Sequence, residues 1–166
     1  MATHTIEPER RTLHGHFSPD LPPVLTIDSG DTVQFRTLDA GWTLKPPAAL
    51  DGRPVEKFEP REKGKDDGHA LCGPVGIRNA QPGSVLEIQI DAIVPGSWGW
   101  SGAGGYESDY NKKLGVADGN RHRNRWQLNA GVGKSDSGHA LKLRPFMGVM
   151  GMPPPEPGIH GTGSAA

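Results

Sequence analysis

The fold of this chain is decided by the stretch Gly68-His-Ala-Leu-Cys-Gly-Pro-Val-Gly-Ile-Arg-Asn-Ala-Gln-Pro-Gly-Ser-Val-Leu-Glu-Ile-Gln-Ile-Asp91. From residue 84 onward, apolar residues alternate with Glu, Gln and Asp. This pattern predicts a strand over residues 84–94 with one face on a core and the other in water. The Gly-Pro and Pro-Gly pairs before this strand predict turns.

An earlier stretch repeats the same plan, Pro23-Val-Leu-Thr-Ile-Asp-Ser-Gly-Asp-Thr-Val-Gln-Phe-Arg-Thr-Leu-Asp39. Its first apolar residues predict a short strand over 24–27, and the Asp-Ser-Gly-Asp sequence at 28–31 predicts a turn. Alternation then predicts a second strand over 32–38. The two stretches together indicate a fold organised by strand pairing rather than by helix packing.

The remainder of the chain extends this pattern. Further strands are predicted at 124–129 and 139–146, one short helix at 106–114, and a long loop at 42–67. Six or more short strands separated by turns predict a mainly β fold, a β-sandwich or barrel. The 24 Gly and 16 Pro among 166 residues fit long Gly/Pro-rich loops. We predict one domain over 1–152, with main strand blocks at 13–47 and 68–94, and a Pro/Gly-rich tail at 153–166.

Charge and cysteine content limit the kinds of partner and cellular location that we expect for this chain. The chain has 18 basic and 19 acidic residues and a formal net charge of −1, which argues against general binding to nucleic acid or to anionic membranes. No apolar run reaches transmembrane length, and the first residues show no signal-peptide pattern. The single cysteine, Cys72, fits a reducing compartment. We therefore expect a cytoplasmic protein.

Three polar residues fall on the apolar face of a predicted strand when every second residue is counted along it. Asp39 has the parity of the apolar side of the 32–38 strand, His69 that of the apolar residues leading to Ile77, and His139 that of Leu141. A charged group on an apolar face is costly unless it is paired or bound to a metal. Two histidines and an aspartate suit zinc or a similar divalent ion, which can activate water for hydrolysis.

Each candidate has a structural alternative. Asp39 can cap the turn that follows it, and His69 can be a core histidine bonded to backbone. His14 and His16, two residues apart on a predicted strand, can bind a metal or form a surface pair. Cys72 can be a nucleophile or a small buried hydrophobic residue.

Two tryptophans indicate where a substrate could bind. Trp98 and Trp100 lie two apart, so on a strand they can line a pocket for a small organic group, with core packing as the alternative. The glycine run at 102–105 is not a phosphate-binding loop, because it lacks the Lys-Ser/Thr of that motif.

Four stretches, in this order, resemble the acetamidase/formamidase family of amide hydrolases. They are residues 21–42, Gly68-His-Ala-Leu-Cys-Gly-Pro-Val75, Ala80-Gln-Pro-Gly-Ser-Val-Leu-Glu-Ile-Gln-Ile90 and Arg144-Pro-Phe-Met-Gly-Val-Met-Gly-Met152. The resemblance extends over nearly the whole chain up to about Gly158. It implies a jelly-roll-like β-sandwich and hydrolysis of short linear amides to a carboxylate and ammonia. It also implies that Asp39 and His69 lie in the site, where a divalent metal is expected.

The chain departs from the family after the Pro-Pro-Glu-Pro sequence at 154–157. Family members continue there into Gly-Gly-Asn-x-Asp, Gly-Asp-x-His-Ala and Gly-Asp-Gly-Glu segments, which carry further acidic and histidine residues. We therefore expect a chain that is truncated relative to the family and whose site is completed by a homo-oligomeric partner or a complementing subunit. The alternative is a non-catalytic remnant or binding module that keeps the β scaffold.

Overall fold

The computed structural model describes residues 1–46 and 55–161. In this part of the chain, twelve strands and one five-residue helix confirm the predicted mainly β class. The strands are β1 (Thr3–Ile6), β2 (Leu13–His14), β3 (His16–Phe17), β4 (Leu25–Ile27), β5 (Thr32–Phe35), β6 (Leu71–Cys72), β7 (Val75–Ile77), β8 (Trp98–Ala103), β9 (His122–Asn129), β10 (Val132–Ser135), β11 (Ala140–Lys142) and β12 (His160–Gly161); the helix α1 is Asp109–Lys113. Within the same ranges, no helix is long and apolar enough to cross a bilayer.

The chain divides into two compact units. Unit 1 is built from Met1–Lys45, Glu56–Gln89 and Gly148–Ala166, and unit 2 from Pro46–Val55 and Ile90–Met147. Residues 47–54 and 162–166 lie outside the described residues, and with them the centre of the predicted 42–67 loop and the end of the predicted tail.

The described strands of unit 1 form four two-stranded ladders. β1 pairs in parallel with β5, and β4 in parallel with β7. β2 pairs antiparallel with β6, and β3 antiparallel with β12. The Gly73-Pro74 pair separates β6 from β7, and proline has no amide N–H to continue a ladder. The chain therefore leaves one ladder at this point and enters another.

The hydrophobic core of the described chain is small. Ile6, Leu13 and Trp42 are its buried hydrophobic residues, with 4%, 3% and 2% of their surface exposed. The guanidinium carbons of Arg10 and Arg61 each lie 5.9 Å from the Trp42 ring centroid. The face of an indole ring attracts cations. Trp42 therefore contacts the N-terminal segment through Arg10 and the segment after residue 56 through Arg61.

An ion pair between the partly exposed Arg10 and the buried Asp66 lies beside this core. Arg10 Nη1 donates to the Asp66 carboxylate and to the carbonyl oxygen of Pro60, both at 2.8 Å, and its Nη2 donates to the carbonyl oxygen of Leu13. The Asp66 side chain is 3% exposed, and its Oδ2 also accepts from the Glu62 amide at 2.9 Å. Two donors on this oxygen offset the cost of removing the carboxylate from water.

Unit 2 contains one antiparallel sheet in the order β11–β10–β9–β8. The turn between β9 and β10 consists of Ala130 and Gly131, with φ of +46° and +76°. Two successive positive φ values are typical of the two-residue turns whose twist matches that of the paired strands. The strand predicted at 124–129 and the turn after it are thus confirmed.

The short helix predicted at 106–114 is confirmed as α1. Ser108 is its N-cap, and the hydroxyl oxygen accepts from the Asn111 amide at 3.1 Å. Asp109 lies in the first turn, and Lys112 and Lys113 lie in the last, so all three charges complement the helix dipole.

The strand predicted over residues 84–94 is wrong. This segment belongs to no strand of the described chain, and its side chains are almost all exposed. The exposed fraction is 96% at Val85, 50% at Ile88 and 88% at Val94. Alternation correctly marks a sequence suited to a half-buried strand, but a strand also needs a neighbour to pair with, and the described residues do not supply one.

The predicted tail contains one ordered pairing. β12 places His160 opposite Phe17 and Gly161 opposite His16. The Gly158 amide also donates to the Asp20 carboxylate at 2.9 Å. Residues up to 161 are therefore tied to the ladders of unit 1.

Candidate functional site

Asp39 begins a tight turn over residues 39–42. Its Oδ2 accepts from the Gly41 amide at 2.9 Å, and the Trp42 amide donates to the Asp39 carbonyl oxygen at 2.8 Å. A Cβ added at Gly41 would lie 3.0 Å from this carboxylate oxygen, so glycine permits the close approach. Asp39 thus has the turn-capping role considered as its alternative. β5 ends at Phe35, so the strand parity that predicted an inward carboxylate does not reach residue 39.

The turn after Asp39 is held against the segment that carries His69. The Ala70 amide donates to the carbonyl oxygen of Ala40 at 3.1 Å. The indole Nε1 of Trp42 donates to the carbonyl oxygen of Gly68 at 2.8 Å. Since His69 lies between these two contacts in sequence, the structure brings the predicted catalytic residues onto adjacent segments.

The His69 side chain is exposed, so its interpretation as a core histidine is wrong. The face assigned to His69 was counted back from Ile77 in steps of two residues. The break at Gly73-Pro74 interrupts this alternation, so the count does not predict where the His69 side chain points. An exposed imidazole can meet a ligand from solvent, and histidine is the side chain best suited to exchange protons near neutral pH. The arrangement offers a backbone-fixed carboxylate on one segment and an exposed imidazole on the next.

Cys72 lies on β6, close to this site, and is half-buried. Its Sγ donates to the carbonyl oxygen of Arg36 at 3.3 Å. Burial raises the pKa of the Cys72 thiol to about 11. Because the thiolate is the nucleophilic form, these observations favour the structural role of Cys72 over the catalytic one.

His14 and His16 are not a surface pair. His16 is 5% exposed, and its Nδ1 lies 2.8 Å from the carbonyl oxygen of Lys65. The Nδ1 of His14 lies 2.7 Å from the carbonyl oxygen of His16. A carbonyl oxygen only accepts, so both Nδ1 atoms carry a proton. Burial lowers the pKa of His14, which favours its neutral form.

Trp98 and Trp100 lie on β8 in unit 2, opposite Gln127 and Arg125 of β9. Residues two apart on a strand share a face, so both tryptophans lie on one side of the sheet. Trp98 is half-buried and Trp100 is 42% exposed. A separate groove of about 180 Å³ in this unit includes neither tryptophan, and its lining residues are Pro95, Gly96, Leu128, Asn129, Ala130, Gly131, Leu143 and Pro145.

His139 lies in unit 2, at the turn between β10 and β11. Its amide donates to the Ser135 hydroxyl oxygen at 3.0 Å, and its carbonyl oxygen accepts from the Ser135 amide at 2.8 Å. The His139 side chain is exposed and Leu141 is 45% exposed, so the inward parity predicted for this strand is wrong.

The donor set expected for a divalent metal is not complete within residues 1–46 and 55–161. No group of three or more His, Cys, Asp or Glu side chains there is placed to hold a metal ion. Zinc sites in proteins use at least three protein ligands. The described residues alone therefore do not fit a whole metal centre, and they do not assemble the predicted set of Asp39, His69 and His139.

Trp42 is the residue that sequence reasoning missed. Its indole N–H joins the two segments of the candidate site, although its sequence position assigned it no role. The available signal was a tryptophan three residues after Asp39, inside a stretch that resembles the family.

Comparison with solved structures finds two proteins of similar fold. An acetamidase from Bacillus halodurans superposes with a TM-score of 0.62 and 19% identity, over 94% of this chain and 48% of that one. A gamma lactamase from Delftia acidovorans superposes with a TM-score of 0.53 and 20% identity, over 84% of this chain and 36% of that one. The sequence pattern of the acetamidase/formamidase family matches residues 2–159, and the chain belongs to this family.

Two curated relatives carry the name formamidase. One, provisionally so named, is from Schizosaccharomyces pombe and is 34% identical over 101 residues, or 57% of this chain and 22% of that protein. The other, from Methylophilus methylotrophus, is 25% identical over 107 residues, or 59% of this chain and 25% of that protein. The chain therefore spans about a quarter of the length of these relatives and about half of the length of the acetamidase.

Proposed function

We propose that this chain is part of an amide hydrolase that cleaves short linear amides. Membership of the acetamidase/formamidase family supports the reaction class. The observation that carries the site is the pairing of the turn after Asp39 with the segment around His69. In the reaction, a water oxygen bonds to the amide carbonyl carbon, the carbon–nitrogen bond breaks, one water proton leaves with nitrogen as ammonia, and the other ionises from the carboxylic acid product.

The two residues suit different parts of this reaction. The Asp39 carboxylate is fixed by the Gly41 amide, so it can orient water or accept a proton from it without reorganising. The His69 imidazole is exposed and can return a proton to the leaving nitrogen. Within unit 2, we propose that Trp98 and Trp100, which share one face of β8, offer an apolar surface to a small organic group.

We also propose that Asp39 and His69 contribute to a divalent metal site whose other donors come from outside the described residues. The family resemblance and the chemistry of the two side chains support this proposal. The proposal predicts that zinc content rises from below one ion per chain to about one per complex when the missing donors are supplied. Metal analysis by mass spectrometry measures both values.

A partner chain that completes the site is the remaining part of the proposal. The incomplete donor set within residues 1–46 and 55–161 supports it. The same observation favours a second candidate, a non-catalytic binding or structural subunit that keeps the β scaffold. For either candidate we propose a cytoplasmic location, which fits the single cysteine.

Ammonia release from formamide and acetamide tests the function. The folded chain is assayed alone and co-expressed with the part of the Bacillus acetamidase that it does not match, with and without a chelator. Turnover in the co-expressed form is the expected result. Its absence from a folded complex would leave the binding or structural subunit as the function.

Two variants test the residue assignment in the active form. Asp39→Asn keeps an acceptor for the Gly41 amide, and His69→Gln keeps a polar side chain, so both preserve the local fold. Each should lower kcat/KM by at least about 100-fold, the usual contribution of a general acid or base. His122→Gln, an exposed histidine on β9, is the matched control and should stay within about twofold. Full activity in Asp39→Asn contradicts the assignment.

A further inference from the structure

Every Lys and Arg side chain of the four-stranded sheet in unit 2 lies on the same face. Residues opposite one another on paired strands share a face, and so do residues two apart on one strand. Applied to the pairing of β8–β11, this rule groups both tryptophans of β8 with all the Lys and Arg residues of the sheet. We call this surface the basic face, and its residues are Trp98, Trp100, Arg123, Arg125, Lys134 and Lys142.

The opposite face of the sheet is the apolar one. A Cβ added at Gly133, which is buried there, would lie 3.2–3.5 Å from three leucine side chains, those of Leu143, Leu128 and Leu141. Arg123, Lys134 and Lys142 of the basic face are exposed. The sheet therefore keeps its leucines together on one side and presents its cations to solvent on the other.

Positive charge is concentrated on the basic face. The described strands β8–β11 contain no Asp or Glu. The Asp136 carboxylate, just after β10, lies 3.0 Å from the Nε of Arg125. Arg121 extends the face by one more cation, because a Cβ added at Gly102 would lie 3.6 Å from its Nε and 3.5 Å from the Cγ of Arg123. The whole chain has a formal net charge of −1, so this face is a local positive surface on a nearly neutral chain.

Aromatic rings lie among these cations. Trp98 and Trp100 are two residues apart on β8, which separates them by about 7 Å along the strand. Trp98 is half-buried, and Trp100 is 42% exposed. The Tyr106 ring is 51% exposed, and its centroid lies 5.2 Å from the guanidinium carbon of Arg121. Rings beside a row of cations are the arrangement by which proteins bind single-stranded nucleic acid, because bases stack on the rings and phosphates pair with the cations.

We propose that the basic face binds single-stranded nucleic acid. Trp98 and Trp100 stack on bases, and the guanidinium groups of Arg121 and Arg123 pair with phosphates. The ligand is anionic because it complements the charge of the face, and it carries flat rings because the indoles lie among the cations. An acidic peptide supplies the charge without the rings, and a duplex keeps its base faces inside its own stack. The inference stands apart from the proposed hydrolase, and it names the organic group that the two tryptophans take.

Fluorescence anisotropy of a labelled single strand of about 12 thymidines tests the proposal on the full chain. The chain should bind the strand at about 50 mM salt. The Kd should rise by at least about 10-fold at about 200 mM salt, because phosphate contacts release counterions. A duplex of the same length should bind at least about 10-fold more weakly, because its bases cannot stack on the indoles.

Variants assign the binding to the basic face. Arg123→Glu reverses a charge and should raise the Kd by at least about 10-fold. Arg11→Glu makes the same change of charge at an exposed arginine of unit 1, and this control should stay within about twofold. Trp100→Ala should raise the Kd by about 10-fold, whereas Trp100→Phe keeps a ring and should stay within about threefold. Circular dichroism checks that each variant is folded.

Several results would overturn the inference. They are no binding by the folded chain at about 50 mM salt, equal Kd values for Arg123→Glu and Arg11→Glu, and duplex binding as tight as that of the single strand. Polyglutamate that binds as tightly as the single strand would also overturn it, because the occupant would then be an acidic protein segment. None of these measurements uses amide turnover, so the inference and the proposed hydrolase stand or fall separately.

Discussion

The indole nitrogen of Trp42 donates a hydrogen bond of 2.8 Å to the carbonyl oxygen of Gly68. This bond fixes the end of the turn that begins at Asp39 against the residue that precedes His69. Trp42 is also the most deeply buried large side chain of the described chain. The stability of unit 1 and the geometry of the candidate site therefore depend on the same side chain.

Trp42→Phe tests this dependence. The substitution keeps an aromatic ring but removes the N–H, and the carbonyl oxygen of Gly68 loses its donor. The free energy of unfolding should fall by about 1–3 kcal/mol, the cost of a buried group left without a partner. Urea denaturation followed by circular dichroism measures it. Trp100→Phe, at a site 42% exposed, should change it by less than about 0.5 kcal/mol, and equal effects of the two variants would contradict the role of Trp42.

Asp66→Ala should destabilise the chain by about 1–3 kcal/mol, the cost of leaving the partly buried Glu62 amide and the partly exposed Arg10 guanidinium without this acceptor. The matched control is Lys65→Ala, which removes an exposed ion pair of 2.6 Å with Glu62 and should cost less than about 0.5 kcal/mol. If both variants have the same denaturation midpoint, the Arg10–Asp66 pair contributes no more than the exposed Lys65–Glu62 pair.

His14 should make stability depend on pH. Burial lowers its pKa below the ordinary 6.5, so the unfolded chain binds this proton more readily than the folded chain does. The stability that His14 contributes is fully present above about pH 6.5, and it is lost as the pH falls through the lowered pKa of the folded state. The urea midpoint should decrease from pH 7.5 to pH 5 in the wild type and decrease less in His14→Gln. An identical decrease in both proteins would assign the effect to other groups.

Cys72 should react slowly with iodoacetamide. A thiol with a pKa of about 11 is almost fully protonated at pH 8, and its alkylation rate should keep rising through pH 10. The same protein unfolded in urea is the control, and its rate should level off near pH 9 because an unperturbed cysteine has a pKa of about 8.5. A plateau near pH 8 in the folded protein would restore Cys72 as a candidate nucleophile.

Local patterns predicted the elements whose stabilising partners are close in sequence. The helix at 109–113 has its cap and its dipole charges within six residues, so the stretch at 106–114 was sufficient to predict it. The β9–β10 hairpin is likewise set by the turn at Ala130 and Gly131. The 84–94 prediction failed because alternation reports which face of a strand favours burial, whereas pairing depends on a neighbour elsewhere.

The sequence nominated the residues of the candidate site by their type, but it did not predict where their side chains point. Asp39 and His69 were chosen from strand parity, which fails where β5 ends at Phe35 and where Gly73-Pro74 interrupts β6 and β7. Their juxtaposition depends on two hydrogen bonds between segments about 30 residues apart, Ala70 to Ala40 and Trp42 to Gly68. Such contacts leave no periodic signal in a sequence.

The ladders of unit 1 and the sheet of unit 2 have different consequences for folding kinetics. β3 pairs His16 with Gly161, almost the full length of the chain away, and β2 pairs Leu13 with Cys72. In unit 2, β9 and β10 pair Asn129 with Val132 across a two-residue turn. Contacts between distant residues must overcome the entropy of closing long loops, so proteins rich in them fold slowly. The β9–β10 hairpin therefore forms early, and the β3–β12 ladder closes last, after nearly the whole chain has been ordered.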